Sequence, residues 1–214
     1  MRSKWNLLRT STLAALCALP GVWYGACAAE QGAAEPVQAI WKYQEFAFYF
    51  NSQTTFYSCA SLEEKLKRIL AAVGARASVK VRAIDCQSGP VRLPRILVKT
   101  TAPVEATQQA LAERDKDKSK RELALRVRGE KEDPEALAPF PAQWKAVSLS
   151  RGKLDLEPGD CELIEELRRK VLPRLAVRLV KDNTHCIPQQ LSPGQPQLEV
   201  EALVALPKPD EKKK

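Results

Sequence analysis

The chain carries a single histidine and lacks C-x-x-C, G-x-S-x-G and any glycine-rich phosphate loop. Each absence removes a class of chemistry. A Ser–His–Asp triad or a Cys–His pair would have to be built on His185, which sits in the polar stretch "KDNTHC" and reads as a turn residue. A zinc site would need His185 together with widely spaced cysteines, and thiol–disulfide exchange usually runs through closely paired cysteines. No apolar run is long enough to cross a bilayer; residues 13–19, "LAALCAL", are cut short by Pro20 and Gly21. Basic residues lie in mixed-sign segments, without the concentrated stripe of a nucleic-acid binder. No catalytic residue, metal site or cofactor is expected, and nucleic acid is not an expected partner.

What the N-terminus does hold is a targeting pattern. Arg2, Lys4 and Arg9 precede the short apolar run, and small residues Ala26 and Ala28 precede a polar start. These features predict a secretory signal peptide over residues 1–29, followed by a flexible N-terminus over 30–39. A lipoprotein would instead be acylated at Cys27, but Tyr24 stands where such a site takes Leu or Val. Removing residues 1–29 takes the formal charge from +8 to about +5. Cys59, Cys86, Cys161 and Cys186 remain, an even set that reads as a disulfide framework in an exported chain. Spacing alone leaves three pairings open.

A repeat narrows the choice. Residues 59–70 read "CASLEEKLKRIL" and residues 161–172 read "CELIEELRRKVL", aligning without a gap. Leu62, Leu66, Ile69, Leu70 and Val73 fall at helical spacing on one apolar face. Ser61 with Glu64 offers a capping box, Asp160 is a natural N-cap for the second helix, and Gly74 and Pro173 are placed to end the two helices. The pairs Glu63–Lys67, Glu64–Arg68, Glu165–Arg169 and Glu166–Lys170 fit i, i+4 ion pairs, a surface role rather than that of glycosidase carboxylates.

The flanks repeat too. "YQEFAFYF" (43–50) and "WKAVSLS" (144–150) precede the helices; "SVKVRAIDC" (78–86) and "AVRLVKDNTHC" (176–186) follow them; "RILVKTT" (95–101) and "QLEVEALVAL" (197–206) come last. The expected fold is α+β, a tandem duplication of a βαββ unit over residues 40–104 and 140–206, with helices packed on one face of the sheet. If strands one and two of a unit are parallel neighbours joined by a right-handed crossover, the helix start and the end of strand two share a sheet edge. That favours two intra-repeat disulfides, Cys59–Cys86 and Cys161–Cys186, worth about 3–4 kcal/mol each by loop-closure entropy.

Residues 105–139 read as a charged linker or insertion, centred on "ERDKDKSKRE". Within it "ELALRVR" (122–128) alternates and is expected as a short extra strand, and the basic tail 207–214 as disordered. Phe46, Phe48 and Phe50 alternate onto a core face, which leaves Trp41, Tyr43 and Tyr49 for the other. Lys80 and Arg82 alternate onto one side of their strand and form a candidate basic contact face.

The stretches "FYSCASLEEKLKRILAAVGAR", "PAQWKAVSL" and "GDCELIEELRRKVLP" resemble a family of small exported bacterial proteins of unassigned role, built on a duplicated Cys-helix-strand-Cys unit. The resemblance covers residues 40–100 and 140–205; it implies export and paired cysteines and supplies no catalytic residue. The expected role is a non-enzymatic binding or assembly factor of the cell envelope, located in the periplasm or outside the cell. Its partner would be a protein or an acidic envelope component. The alternatives are an envelope hydrolase using His185 or carboxylates, and a thiol–disulfide protein using Cys59 or Cys161 at a helix N-terminus.

Overall fold

The computed structural model describes residues 35–84, 86, 89–116, 118–128 and 138–207. The signal peptide expected over 1–29, Cys27, residues 129–137 of the expected linker and nearly all of the tail lie outside the described residues.

Alternation writes the first strand, β1 (Val37–Tyr49). Phe48 is buried, Phe46 packs on the same core, and Phe50 beyond the strand is buried, while Tyr43 and Tyr49 are exposed. Helix α1 (Cys59–Ala72) follows and buries Leu62, Leu66, Ile69 and Leu70. Its N-cap is Ser58, whose side chain accepts from Ser61 N–H. The expected Ser61–Glu64 box does not form, because the helix starts earlier, at Cys59. Gly74 ends it with φ +79°, a conformation that costs a side-chain-bearing residue strain; a Cβ there would also lie 2.5 Å from Leu203 O.

Strands β2 (Arg76–Arg82) and β3 (Arg95–Glu105) complete the first half. Helices α2 (Gln108–Lys116) and α3 (Lys118–Arg128) occupy the charged segment. Residues 122–128 are therefore helical and not the extra strand expected. Glu, Leu, Ala and Arg are strong helix formers, and Lys118 pairs with Glu122 at i, i+4. The second half is β4 (Phe140–Ser148), α4 (Cys161–Lys170), β5 (Val177–Asp182) and β6 (Leu198–Ala205). Short 3₁₀ turns lie on either side of α4, the second holding Pro173.

The six strands form one sheet in the order β2-β3-β1-β4-β6-β5, antiparallel throughout. This corrects the expectation that β1 and β2 are neighbours. β3 matches the long β1 over residues 39–49 and buries Ile96, Val98 and Ala102, so it takes the central place. The shorter β2, with Lys80 and Arg82, goes to the edge, where charge blunts unwanted pairing. Because β1 and β2 are both antiparallel to β3, they still run the same way. The start of α1 and the end of β2 therefore meet at one edge, and Cys59 is bonded to Cys86 with Cα atoms 5.4 Å apart. Cys161 is bonded to Cys186 at 5.6 Å. Residues 37–39, expected within a flexible N-terminus, belong instead to β1 and form its pairing with β4, while residues 30–34 lie outside the described residues.

That pairing is brief: Val37 faces Ala142, Gln38 faces Pro141 and Ala39 faces Phe140. One apolar cluster nonetheless joins both halves, with α1, α4 and the buried faces of β1, β2, β3, β4 and β6 all contributing. A second, small cluster of Ala39, Ala142 and Leu203 lies under Phe140 and Trp144.

A polar clasp reinforces the union. Glu162 in the first turn of α4 accepts hydrogen bonds from Ser52 Oγ (2.7 Å), Gln53 N–H (2.8 Å), Thr54 N–H (3.2 Å) and Thr54 Oγ1 (3.0 Å). Asp160 is buried; it accepts from Tyr57 Oη at 2.6 Å and pairs with Lys65 Nζ at 2.6 Å. It thus precedes α4 without capping it through its side chain, turning its carboxylate to the other half and to Glu157 N–H. Burial, then the Asp160 charge, push the Tyr57 phenol well above its ordinary range. Gly159 has no room for a side chain, because a Cβ would overlap Thr55 Oγ1.

Two outcomes follow for equilibrium denaturation. Gly159→Ala should cost about 1–3 kcal/mol by overpacking, and Thr55→Ala in the same chain should recover most of it. Partial burial raises the Glu162 pKa, but the bonds from Ser52, Gln53 and Thr54 outweigh it and hold the group below its ordinary 4.5. A carboxylate so depressed contributes stability that is present above the unfolded value and lost as pH falls through the lower folded value. Glu162→Gln should therefore flatten the loss of stability in acid below about pH 4.5, read from urea midpoints across that range.

Candidate binding face

Lys80 and Arg82 stand exposed on β2, on the face opposite buried Val79 and Val81. Register then adds what the linear sequence separates. Arg82 lies directly across from Arg95, and Arg95 across from Tyr49; Lys80 faces Leu97, which faces Ala47; Ser78 faces Lys99, which faces Glu45; Arg76 faces Thr101, which faces Tyr43. The outward rows of the first half thus gather Arg76, Lys80, Arg82, Arg95 and Lys99 around two exposed tyrosines. Glu45 takes Lys99 at 3.2 Å and accepts from Tyr43 Oη at 3.0 Å. Arg76 stacks on the Trp41 ring at 4.5 Å. Among the described residues no carboxylate pairs with Lys80, Arg82 or Arg95.

Arg82 opposite Arg95 is unfavourable for folding, since like charges directly across a strand pair repel. The other half does not repeat it. There the corresponding rows place Arg178 opposite Glu201 and Lys181 opposite Glu199, and Arg178 also pairs with Glu105 at 3.1 Å and stacks on Trp144 at 3.6 Å. The outward rows of the two halves thus differ in charge. Such a face can hold anionic groups by Coulomb attraction while the exposed tyrosines contribute contact area and hydroxyls.

Sequence reasoning found Lys80 and Arg82 and missed Arg95 and Lys99. Their signal was present in "RILVKTT", where Arg95 and Lys99 alternate with buried positions, but only strand register brings them beside β2.

The remaining candidates sit elsewhere. His185 is exposed, its backbone N–H bonded to Gln195 Oε1. The cysteines are tied in the two disulfides. Glu63 pairs with Lys67, and its Oε1 accepts from Val81 N–H at 2.8 Å on the outer edge of β2. Glu64 pairs with Arg68, and Glu166 with Lys170 at 2.7 Å. Arg169 turns to Glu166 and not to Glu165 as expected, since i, i+3 is also a neighbouring position on a helix. Among the described residues no His, Cys, Asp and Glu cluster has the make-up of a metal site, and no helix is long and apolar enough to cross a membrane.

Comparison with protein-family models, with curated protein sequences and with solved structures gives no significant match to this chain.

If the Arg82–Arg95 juxtaposition costs stability, relieving it should be visible. Arg82→Glu should raise stability by about 0.2–1 kcal/mol through a new cross-strand ion pair, measured as a rise in denaturant midpoint that shrinks with added salt.

Proposed function

We propose that the protein is an exported, disulfide-stabilised binding or assembly factor of the cell envelope, non-enzymatic, that engages an anionic partner through the outward face of β2, β3 and β1. The observation that carries this reading is that among the described residues no carboxylate pairs with Lys80, Arg82 or Arg95, while the other half sets Arg178 and Lys181 opposite Glu201 and Glu199 in register. Export to the periplasm or beyond is supported by the two disulfides, which persist in oxidising compartments, and by the signal-like N-terminal sequence.

We also propose that the two halves arose by duplication of one βαββ unit. The strand order reads the same from either edge when β1, β2 and β3 are exchanged for β4, β5 and β6. Gln38 and Pro141 face each other at its centre. Ala106 N–H bonds Gln38 O at 2.8 Å, and Leu206 N–H bonds Pro141 O at 3.0 Å. The Arg76–Trp41 and Arg178–Trp144 stacks occupy matching places. Each of these supports the reading.

The test is titration of the protein with anionic phosphatidylglycerol vesicles and, separately, with a glutamate-rich peptide. Binding to at least one should weaken as salt shortens the Debye length from about 30 Å at 0.01 M to about 8 Å at 0.15 M. The triple variant Lys80→Glu, Arg82→Glu, Arg95→Glu should lose about 100-fold, at roughly 1 kcal/mol per basic residue near an anionic surface. A triple variant that binds like the parent, or a parent that binds neither probe at low salt, rejects the assignment of this face.

A further inference from the structure

The end of the second half away from the β1–β4 pairing holds a polar cleft of about 440 Å³. Its floor is the outward face of the sheet, where Ser148, Glu199 and Lys181 lie abreast on β4, β6 and β5. Glu199 stands on the side opposite buried Leu198 and Val200. One wall is the segment after β4, with Arg151 and Lys153; the other is the segment before β6, with Gln197. Backbone bonds tie the walls together at their base, from Arg151 N–H to Pro196 O and from Leu149 N–H to Leu198 O, each at 2.8 Å.

The basic wall is held in a costly conformation. Lys153 stands between Gly152 at φ +76° and Leu154 at φ +53°, and Asp155 follows at φ +55°. The left-handed region strains a leucine or an aspartate. Leu154 packs on the core, and Gly152 N–H bonds Leu156 O at 2.8 Å and Lys153 N–H bonds Ser150 O at 3.0 Å, so the turn is fixed. The Asp155 carboxylate is drawn away to Arg68. The turn thus sets Arg151 and Lys153 on the cleft beside Lys181, with Glu199 as the one acid of the lining. Among the described residues no hydrogen bond or ion pair engages the side chain of Arg151, Lys153 or Lys181. The equivalent segment after β1 behaves differently, since Ser52, Gln53 and Thr54 are engaged by Glu162.

Three cations against one carboxylate leave a surplus of two positive charges, which matches the roughly −1.5 to −2 of a phosphomonoester near neutral pH. Guanidinium and ammonium groups both hold phosphate oxygens. Glu199 repels a bare anion and accepts from hydroxyls, and Ser148 and Gln197 offer further donors and acceptors. A cleft of this size suits a small molecule. We propose that it binds a small phosphorylated polyol, the phosphate held by Arg151, Lys153 and Lys181 and the hydroxyls by Glu199, Ser148 and Gln197. The site lies in the other half from the basic face and does not rest on the reading of that face.

The experiment is isothermal titration calorimetry of the full, disulfide-bonded chain with glycerol 3-phosphate, inorganic phosphate and glycerol. Glycerol 3-phosphate should bind at a single site, about tenfold or more tighter than inorganic phosphate, and glycerol alone should not bind. Arg151→Gln with Lys153→Gln should weaken both phosphates by about tenfold or more. Both side chains are exposed and unbonded, so this variant keeps the fold. Glu199→Ala should narrow the preference for glycerol 3-phosphate, because it removes an acceptor for the hydroxyls while easing repulsion of either phosphate. The variant carrying Lys80→Glu, Arg82→Glu and Arg95→Glu should bind both phosphates like the parent. Absence of glycerol 3-phosphate binding overturns the site, and equal affinity for the two phosphates or a preference unchanged by Glu199→Ala overturns the polyol. Binding lost in the variant of the first half and kept in Arg151→Gln with Lys153→Gln places the phosphate elsewhere and overturns the assignment to this cleft.

Discussion

Three facing pairs hold the sheet together at its centre, Val37–Ala142, Gln38–Pro141 and Ala39–Phe140. Everything else about the molecule follows from how short that contact is. A longer pairing would have zipped β1 against β4 and sealed both strands. With only this overlap, each half keeps a three-stranded sheet of its own, and the rest of the union must come from other contacts. α4 supplies part of it by laying Lys170 on Tyr49 O and offering Arg174 O to Gln44 at 2.7 Å. Residues 52–57 supply the rest by closing over Asp160 and Glu162. The two halves thus exchange contacts, and the apolar core they share is continuous.

The division of labour between the clasp and the basic face is a matter of satisfaction. Asp160, buried, is met by Lys65, Tyr57 Oη and Glu157 N–H; an unpaired buried carboxylate would cost several kcal/mol. Those charges are used up in folding. Lys80, Arg82 and Arg95 are exposed, and two of them oppose each other across the strand pair. Folding gains nothing from that arrangement, since like charges directly across a strand pair repel.

Much of the scaffold was legible in the residues. The gapless match of 59–70 to 161–172 marked two equivalent helices, and their positions at helical spacing are the ones α1 buries. The alternation of Phe46, Phe48 and Phe50 separated core from surface. The cysteine pairing followed from strand direction alone, and so it survived a wrong guess about which strands are adjacent. Adjacency itself was not legible, because hydrophobic alternation specifies a strand's face and leaves its neighbours open. Residues 122–128 misled for a related reason: in "ELALRVR" a short alternating run built from helix formers fits either period, and the i, i+4 pair with Lys118 decided it. At the candidate site, Lys80 and Arg82 could be read from one strand, whereas Arg95 and Lys99 belong to the same face only through register.

The most direct measurement places a photo-cross-linking residue at position 80, on the basic face, and in a second chain at position 199, on the corresponding face of the other half, and irradiates each in the producing cell. The predicted result is a discrete cross-linked product from position 80 that disappears with Arg82→Glu and Arg95→Glu, and none from position 199. Equal products from both positions, or a product from 80 that persists after charge reversal, would contradict the assignment of function to the first half's unneutralised face.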